Sequence, residues 1–431
     1  MATTVRPGAD DAPTGAAPGA APGALTSARA RGFGVATVLL GLVALVAFGL
    51  GSAAGVDSRF VFSPRGEAVV DLSVPARGGA LVLSALLLAL GAHLVVRRST
   101  ARTYGLFGLA LVLFLAALLV WATRDASMSV FGLASGTMRR AVPLALGACA
   151  GVLCERAGVV NIAIEGMLLA GAFTGAVVGS AAGNVWLGLV GGAAAGAVLG
   201  LFLATMSIRY KVDQVIGGTV VNIAALGLTS FLAARVLVDS PDLNRPGSFR
   251  PFSVPGLVEI PVLGPLLFRN TIYVYLMFGL VALLTWALFR TRWGLRLRAV
   301  GEHPRAADTV GIRVLATRYR AVTLGGLVAG AAGTYFTLDA TGGFDEGMTA
   351  GRGFIALAAL IFGRWHPAGA LAAALVFGFS EELQDRLALL DTPLPSQVLL
   401  MTPYVVTIVV VAGLIGRARP PAADGKPYEL G

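Results

Sequence analysis

Twelve apolar stretches, separated by short polar or charged breaks, limit what this chain can become. They run near 33–51, 79–96, 104–122, 129–153, 159–180, 185–208, 214–236, 271–290, 321–340, 354–364, 367–383 and 397–416. About 20 apolar residues in a helix cross the hydrocarbon of a bilayer, so most of these stretches read as membrane spans. The expected fold is all-α, a polytopic transmembrane helical bundle of about 12 spans. Segment 354–364 is too short to cross alone at about 1.5 Å per residue. With 367–383 it is expected to form a broken or re-entrant pair around Trp365, His366 and Pro367. Only 13% of the 431 residues are charged and 56% are hydrophobic, against about 25% charged in soluble domains. An ordinary soluble enzyme is excluded.

The charges that remain set an orientation. The formal net charge is +10, but the basic residues lie in short loops between apolar runs, which is the positive-inside pattern rather than a nucleic-acid groove. Arg97, Arg98 and Arg102 mark one inside loop, Arg209 and Lys211 a second, and the eight arginines between Arg290 and Arg320 a third. The twelve spans put all three on one side and both termini in the cytoplasm. Residues 1–32, rich in Ala, Pro and Gly, are expected to be a disordered cytoplasmic tail. The run 33–51 then acts as an uncleaved signal anchor, and 417–431 forms a cytoplasmic C-terminal tail. Cys149 and Cys154 read as small buried thiols, and His93, His303 and His366 are too scattered for a metal cluster.

Three features stand out from the apolar background. Gly188, Gly192, Gly196 and Gly200 recur every fourth residue, a ridge without side chains against which another helix can pack closely. Gly326, Gly330 and Gly333 invite the same reading. Within 154–167, Asn161 and Glu165 are expected i,i+4 on one face of an apolar helix. A carboxylate at that depth is costly unless paired or hydrated. Glu165 is therefore either an internal lock, bonded to Asn161, backbone, Arg139 or Arg140, or a group lining a cavity. Val-Val-Asn-Ile-Ala occurs at 159–163 and again at 220–224, hinting that Asn161 and Asn222 face a shared interior. With Thr219, these make Asn161, Glu165, Thr219 and Asn222 the candidate pathway residues. The third feature is the loop 291–320, in which Glu302 to Val310 is expected to form a short amphipathic helix with Pro near its start and Gly just past its end. Such a helix presents a docking surface to a cytoplasmic partner, unless the arginines serve only topology or anionic lipid. The chain has no P-loop, since Gly425-Lys426 is followed by Pro, and no catalytic constellation, so it is not expected to be an enzyme.

The stretch 154–173, CERAGVVNIAIEGMLLAGAF, resembles the signature of bacterial ABC importer permeases of the branched-chain amino acid, ribose and nucleoside group. It is most similar to the purine-nucleoside, simple-sugar-type permeases that work with basic-membrane-protein lipoproteins. RAVGEHPRAADTVGI at 298–312 resembles that group's ATPase-coupling loop, and GRGFIALAALIFGRWHP at 351–367 its later helix pair. The resemblance implies a permease core over 129–416 with about nine spans and a three-helix N-terminal extension over 33–128. It implies a multi-pass subunit of the bacterial cytoplasmic (inner) membrane that passes a small molecule, a nucleoside above all, through the bilayer. Its implied partners are a second homologous permease, a cytoplasmic ATPase and an extracytoplasmic substrate-binding lipoprotein. ATP and Mg would be bound by the ATPase and no cofactor by this chain. Gly301, Glu302, His303, Pro304, Arg305, Asp308 and Gly311 would form the coupling loop. Ala163 stands where the family often has Gly, and His303 where Asn is common. Rival readings are transport of simple sugars or branched-chain amino acids, and, in another class, an ion-gradient-driven secondary transporter.

Overall fold

The structure, a computed structural model, describes residues 27–64, 71–96, 103–390, 397, 401 and 419–429. Residues 1–26 of the expected N-terminal tail, Arg97, Arg98 and Arg102 of the first inside loop, and most of the expected span 397–416 lie outside them. Among the described residues, nine helices are long and apolar enough to cross a membrane. They match the first nine expected stretches, with shifted ends, and the protein is a multi-pass membrane protein.

The chain divides into two compact units. One comprises Met1–Ser52 and Arg77–Leu119, the other Ala53–Ala76 and Val120–Gly431. In the smaller unit, helix α1 (Ser27–Val43) continues as a wider π-helical turn, Ala44–Leu50, and packs against α2 (Ala76–Val96). Gly34 and Gly91 carry that approach, because a methyl on either would sit 2.8 Å from a backbone nitrogen of the other helix, that of Val95 or Val38. Helix α3 (Thr103–Ala122) joins through edge contacts of Phe33 with Tyr104 and Phe107.

The larger unit opens with a small sheet that no strand pattern announced. Strand β1 (Asp57–Val61) pairs antiparallel with β2 (Asp71–Pro75) and parallel with β3 (Ser127–Ser129). Then come α4 (Val130–Glu155), α5 (Ile164–Ala182), α6 (Val185–Ala204), α7 (Gln214–Leu232), the strand β4 (Phe252–Ser253), the short α8 (Leu263–Phe268), its partner strand β5 (Arg269–Asn270), and α9 (Ile272–Arg290). The chain continues through α10 (Arg292–Glu302), α11 (Pro304–Thr309), α12 (Val314–Tyr335), α13 (Arg352–Phe362) and α14 (Pro367–Leu389). Local chemistry sets the boundaries. Gly183 adopts φ +59° and ends α5, and the Asn184 side chain then accepts the Trp186 amide at 2.8 Å to start α6. Asp213 caps α7 in the same way through the amides of Val215 and Ile216.

Glycine decides how the helices of this unit meet. A methyl on Gly200 would stand 2.7 Å from the Val322 carbonyl oxygen, and one on Gly188 2.7 Å from that of Gly175. Gly196 and Gly192 face the backbone of α12 and α5 still more closely. Gly326 and Gly330 on α12 return the contact, so α6 is zipped backbone to backbone onto α12 and α5. Helix α4 runs through the core, with buried residues on all sides from Ala141 to Glu155.

Two expected helices start later along the chain. The fifth helix begins at Ile164, not near 159, because residues 156–163 form a turn with Gly158 at φ +83°. Asn161 therefore precedes the helix and does not share a helical face with Glu165. The short helix expected from Glu302 to Val310 forms as α11 over Pro304–Thr309, with Pro304 at its start and Gly311 just past its end, while Glu302 closes α10 instead. The His303 imidazole Nδ1 accepts the Ala306 amide at 3.2 Å and so starts α11. At 11 residues, α13 is about 16 Å long, roughly half the hydrocarbon thickness, and the irregular segment 341–351 precedes it.

Gly196→Leu should fold poorly, because the atoms in its way are backbone and overpacking of this kind costs at least about 3 kcal/mol. The melting temperature of the purified protein in detergent checks this against Gly227→Ala, where no atom lies within 4 Å and the temperature should hold.

Candidate functional site

Two helices of the larger unit begin inside the bundle, and both lack a capping side chain of their own. Unpaired amides at a helix start must find acceptors elsewhere. At α13 the acceptor is Glu165. One carboxylate oxygen accepts the Thr349 hydroxyl at 2.7 Å and the Gly351 amide at 2.8 Å, and the other accepts the Gly353 amide at 2.6 Å. The negative charge also faces the positive end of the α13 dipole. Glu165 is thus a lock, and its partners are Thr349 and backbone rather than Arg139 or Arg140.

At α5 the acceptor comes from α7. The Asn222 carbonyl oxygen accepts the Gly166 amide at 2.8 Å, and its amide group donates to the Ile162 carbonyl at 2.9 Å. Eight residues earlier, Gln214 accepts the Val160 amide at 2.6 Å. Asn161 is fully buried in the turn, where its side-chain oxygen accepts the Ala163 amide and its nitrogen donates to Cys154 Sγ at 3.3 Å. Asn161, Glu165 and Asn222 therefore gather at one turn. Thr219 does not join them; it is exposed, and its hydroxyl donates to Val215 of its own helix.

The same α4–α5 turn grips the connection between α13 and α14. Glu155 accepts the Trp365 indole N–H, and Arg156 donates to the Trp365 carbonyl at 2.8 Å. These bonds hold Arg364 and Trp365 at φ +55° and +54°, an arrangement costly for side-chain-bearing residues. Trp365 is buried. Gly301 at the end of α10 lies directly against the Arg156 carbonyl, so the expected coupling segment touches this turn. Beside it the Leu295 and Val310 side chains are exposed along a cavity of about 710 Å³ that Arg296, Arg313 and Arg320 also line.

Toward the other end of the bundle, a cavity of about 500 Å³ is lined by Arg139, Arg140, Tyr335, Asp339, Asp345 and Arg352. Arg140 is spoken for, reaching Glu381 and Glu382 and also Asp385. Arg352 pairs with Glu381 at 3.6 Å. Gly136 makes room for the Glu382 carboxylate. Arg139 makes no ion pair among the described residues, although it lies about 14 Å along α4. Asp339, Tyr335 and Asp345 carried no motif; the only sequence signal for this cavity was the awkward pair Arg139-Arg140 inside an apolar span.

The C-terminal residues complete the α10–α11 end. Asp424 is half-buried beside the Glu155 carboxyl, and desolvation pushes its acid up to about 7, with the Gly425 amide and the Arg318 guanidinium opposing.

Comparison with known proteins covers the same part of the chain. The family model for the permease component of branched-chain amino acid transport systems matches residues 133–416. A guanosine ABC transporter permease protein of Bacillus subtilis, NupQ, is 42% identical over 306 residues, covering 68% of this chain and 95% of its own. A nucleoside ABC transporter permease protein of Lactococcus lactis, NupC, is 38% identical over 66% of this chain and 93% of its own. A putative glucose ABC transporter permease protein of Haloferax volcanii, TsgC13, is 36% identical over 67% and 93%. No solved structure matches the chain at a significant level.

Glu165→Ala strands two amides and a hydroxyl, at a cost of about 3 kcal/mol or more. The melting temperature in detergent should drop markedly, and an unchanged value would show that α13 does not depend on this cap. Asp424 binds its proton more tightly folded than unfolded, so its contribution to stability is lost as pH rises through about 7. Asp424→Asn should therefore raise the melting temperature at pH 8 and leave it unchanged near pH 4.

Proposed function

Because this chain belongs to the family of branched-chain amino acid transport permeases, we propose that it is a membrane subunit of an ATP-driven ABC importer of nucleosides. The observation that carries the substrate class is the identity of 42% and 38% to permeases named for guanosine and nucleosides, over nearly their full length. In this reading the chain sits in a bacterial cytoplasmic membrane with both termini inside and the α10–α11 end facing the cytoplasm. It pairs with a second, homologous permease and receives substrate from an extracytoplasmic binding lipoprotein. A separate cytoplasmic ATPase binds ATP and Mg and docks on Gly301 to Gly311. No covalent chemistry falls to this chain.

Arg139 supports a substrate route along the cavity of about 500 Å³. The Arg139 guanidinium faces Asp339 across this cavity without an ion pair to it, which leaves room for water or a polar guest between them, and a nucleoside offers hydrogen-bond acceptors on both base and sugar. The Tyr335 ring lines the same cavity. Asn161, Glu165 and Asn222 act in this reading by holding the helix starts behind the route. Transport of a sugar is the second reading, favoured by the relative named for glucose.

A strain lacking the gene should lose uptake of labelled guanosine, and unchanged guanosine uptake beside lost glucose uptake would move the assignment to sugars. In the restored strain, Arg139→Ala should lower uptake about tenfold, the equivalent of ~1.4 kcal/mol, at an unchanged membrane level of the protein.

A further inference from the structure

The segment 419–429 returns to the α10–α11 end and touches several different parts of the unit. The Ala423 amide donates to the Gly301 carbonyl at 2.9 Å, and the Ala422 amide to the Glu302 carboxylate at 3.2 Å. The Tyr428 hydroxyl donates to Asp308 at 2.8 Å, and its ring is buried with Val300, Ala307 and Val314. These contacts fasten the segment to α10, α11 and the start of α12.

Its other contacts reach the α4–α5 turn and Lys211, just ahead of α7. The Ala423 carbonyl oxygen lies so close to Gly158 that a methyl there would stand 3.1 Å from it, and the Asp424 carboxyl lies beside that of Glu155. Gly425 packs against Val160. Arg318, itself buried, donates to the Lys426 carbonyl at 2.9 Å, and Lys211 pairs with Glu429. One stretch of eight residues thus touches Gly301, Glu302 and Asp308 on one side and Glu155, Gly158 and Val160 on the other.

We propose that segment 422–429 is a built-in coupling strap, which ties α10 and α11 to the α4–α5 turn so that movement of the first pair is passed to the second. For the source of that movement the proposal rests on the importer reading. The direct contact between α10 and the turn is the close approach of Gly301 to the Arg156 carbonyl and the Gly158 backbone, beside which the Glu302 carboxylate attracts the Arg156 guanidinium. The strap adds a second route, hydrogen-bonded and ring-packed on the α10–α11 side and closely packed through Ala423 and Gly425 on the turn side. Tyr428 is a positioning residue here, since it touches neither substrate nor nucleotide in any reading of this chain.

Two measurements on the full-length protein test the strap. In detergent, hydrogen–deuterium exchange should quicken at least tenfold in Tyr428→Ala, both in 303–310 and in the 156–163 turn, which Tyr428 does not touch. Tyr428→Phe, which keeps the ring, should stay within about twofold of wild type. Quickened exchange confined to 303–310 would overturn the strap. In proteoliposomes with the ATPase, the second permease and the binding protein, guanosine taken up per ATP hydrolysed should fall at least fivefold in Tyr428→Ala and recover in Tyr428→Phe. An unchanged ratio would overturn the coupling role. Absence of ATP-driven guanosine uptake by the wild type would count against the nucleoside reading instead, and the exchange result would still decide whether the strap links the two elements.

Discussion

A helix that starts inside a packed bundle exposes up to four amides to an environment without water, and the described residues contain two such starts, those of α5 and α13. Each is satisfied by a side chain from another helix. Asn222 of α7 caps α5, and Glu165 in the first turn of α5 caps α13. The caps are therefore in series. The first turn of α5 is held from one side and does the holding on the other, so the position of α13 depends on α7 through two hydrogen-bonded contacts. An apolar residue at Glu165 would fill similar space and leave α13 with bare amides, which explains why a carboxylate is tolerated at this depth.

The frame around these caps is stiff for a different reason. Lipid gives no hydrophobic drive for one apolar helix to bind another, so close van der Waals fit has to hold them. The glycine ridge of α6 brings its backbone against that of α12 and α5, where no side chain remains to rotate or yield. The α4–α5 turn, by contrast, is held by hydrogen bonds from Gln214, Asn222, Glu155 and Arg156. Such bonds can exchange partners one at a time, whereas an interlocked backbone contact can only separate as a whole.

The long spans were legible because hydropathy alone decides them, and the glycine ridge because its period of four is a local pattern. The start of α5 was misplaced because 159–163 is as apolar as a helix. What ends regular structure there is Gly158 at φ +83° together with Asn161 turning its oxygen onto the Ala163 amide, and neither leaves a trace in hydropathy. Glu165 was marked as anomalous, yet its partners lie 184 to 188 residues away in an unpatterned loop, beyond the reach of any spacing rule. The C-terminal residues read as a tail because they are polar. Their order comes from tertiary bonds, among them those from Ala423 and Tyr428.

Arg139 and Arg140 show how the two ends of the larger unit are connected. Successive residues on a helix point about 100° apart, so both cannot face α14; Arg140 takes the carboxylates there, and Arg139 is turned to the cavity. The wall of that cavity includes Arg352, the first residue of α13, which also pairs with Glu381 of α14. The start of α13 is the same helix end that Glu165 caps. A displacement of the α5 start by even one hydrogen-bond length therefore either breaks the cap or carries Arg352 with it. If the cap holds, the charged lining of the cavity changes together with the α4–α5 turn, and a residue in the first turn of one helix becomes a lever on a site near the far end of another.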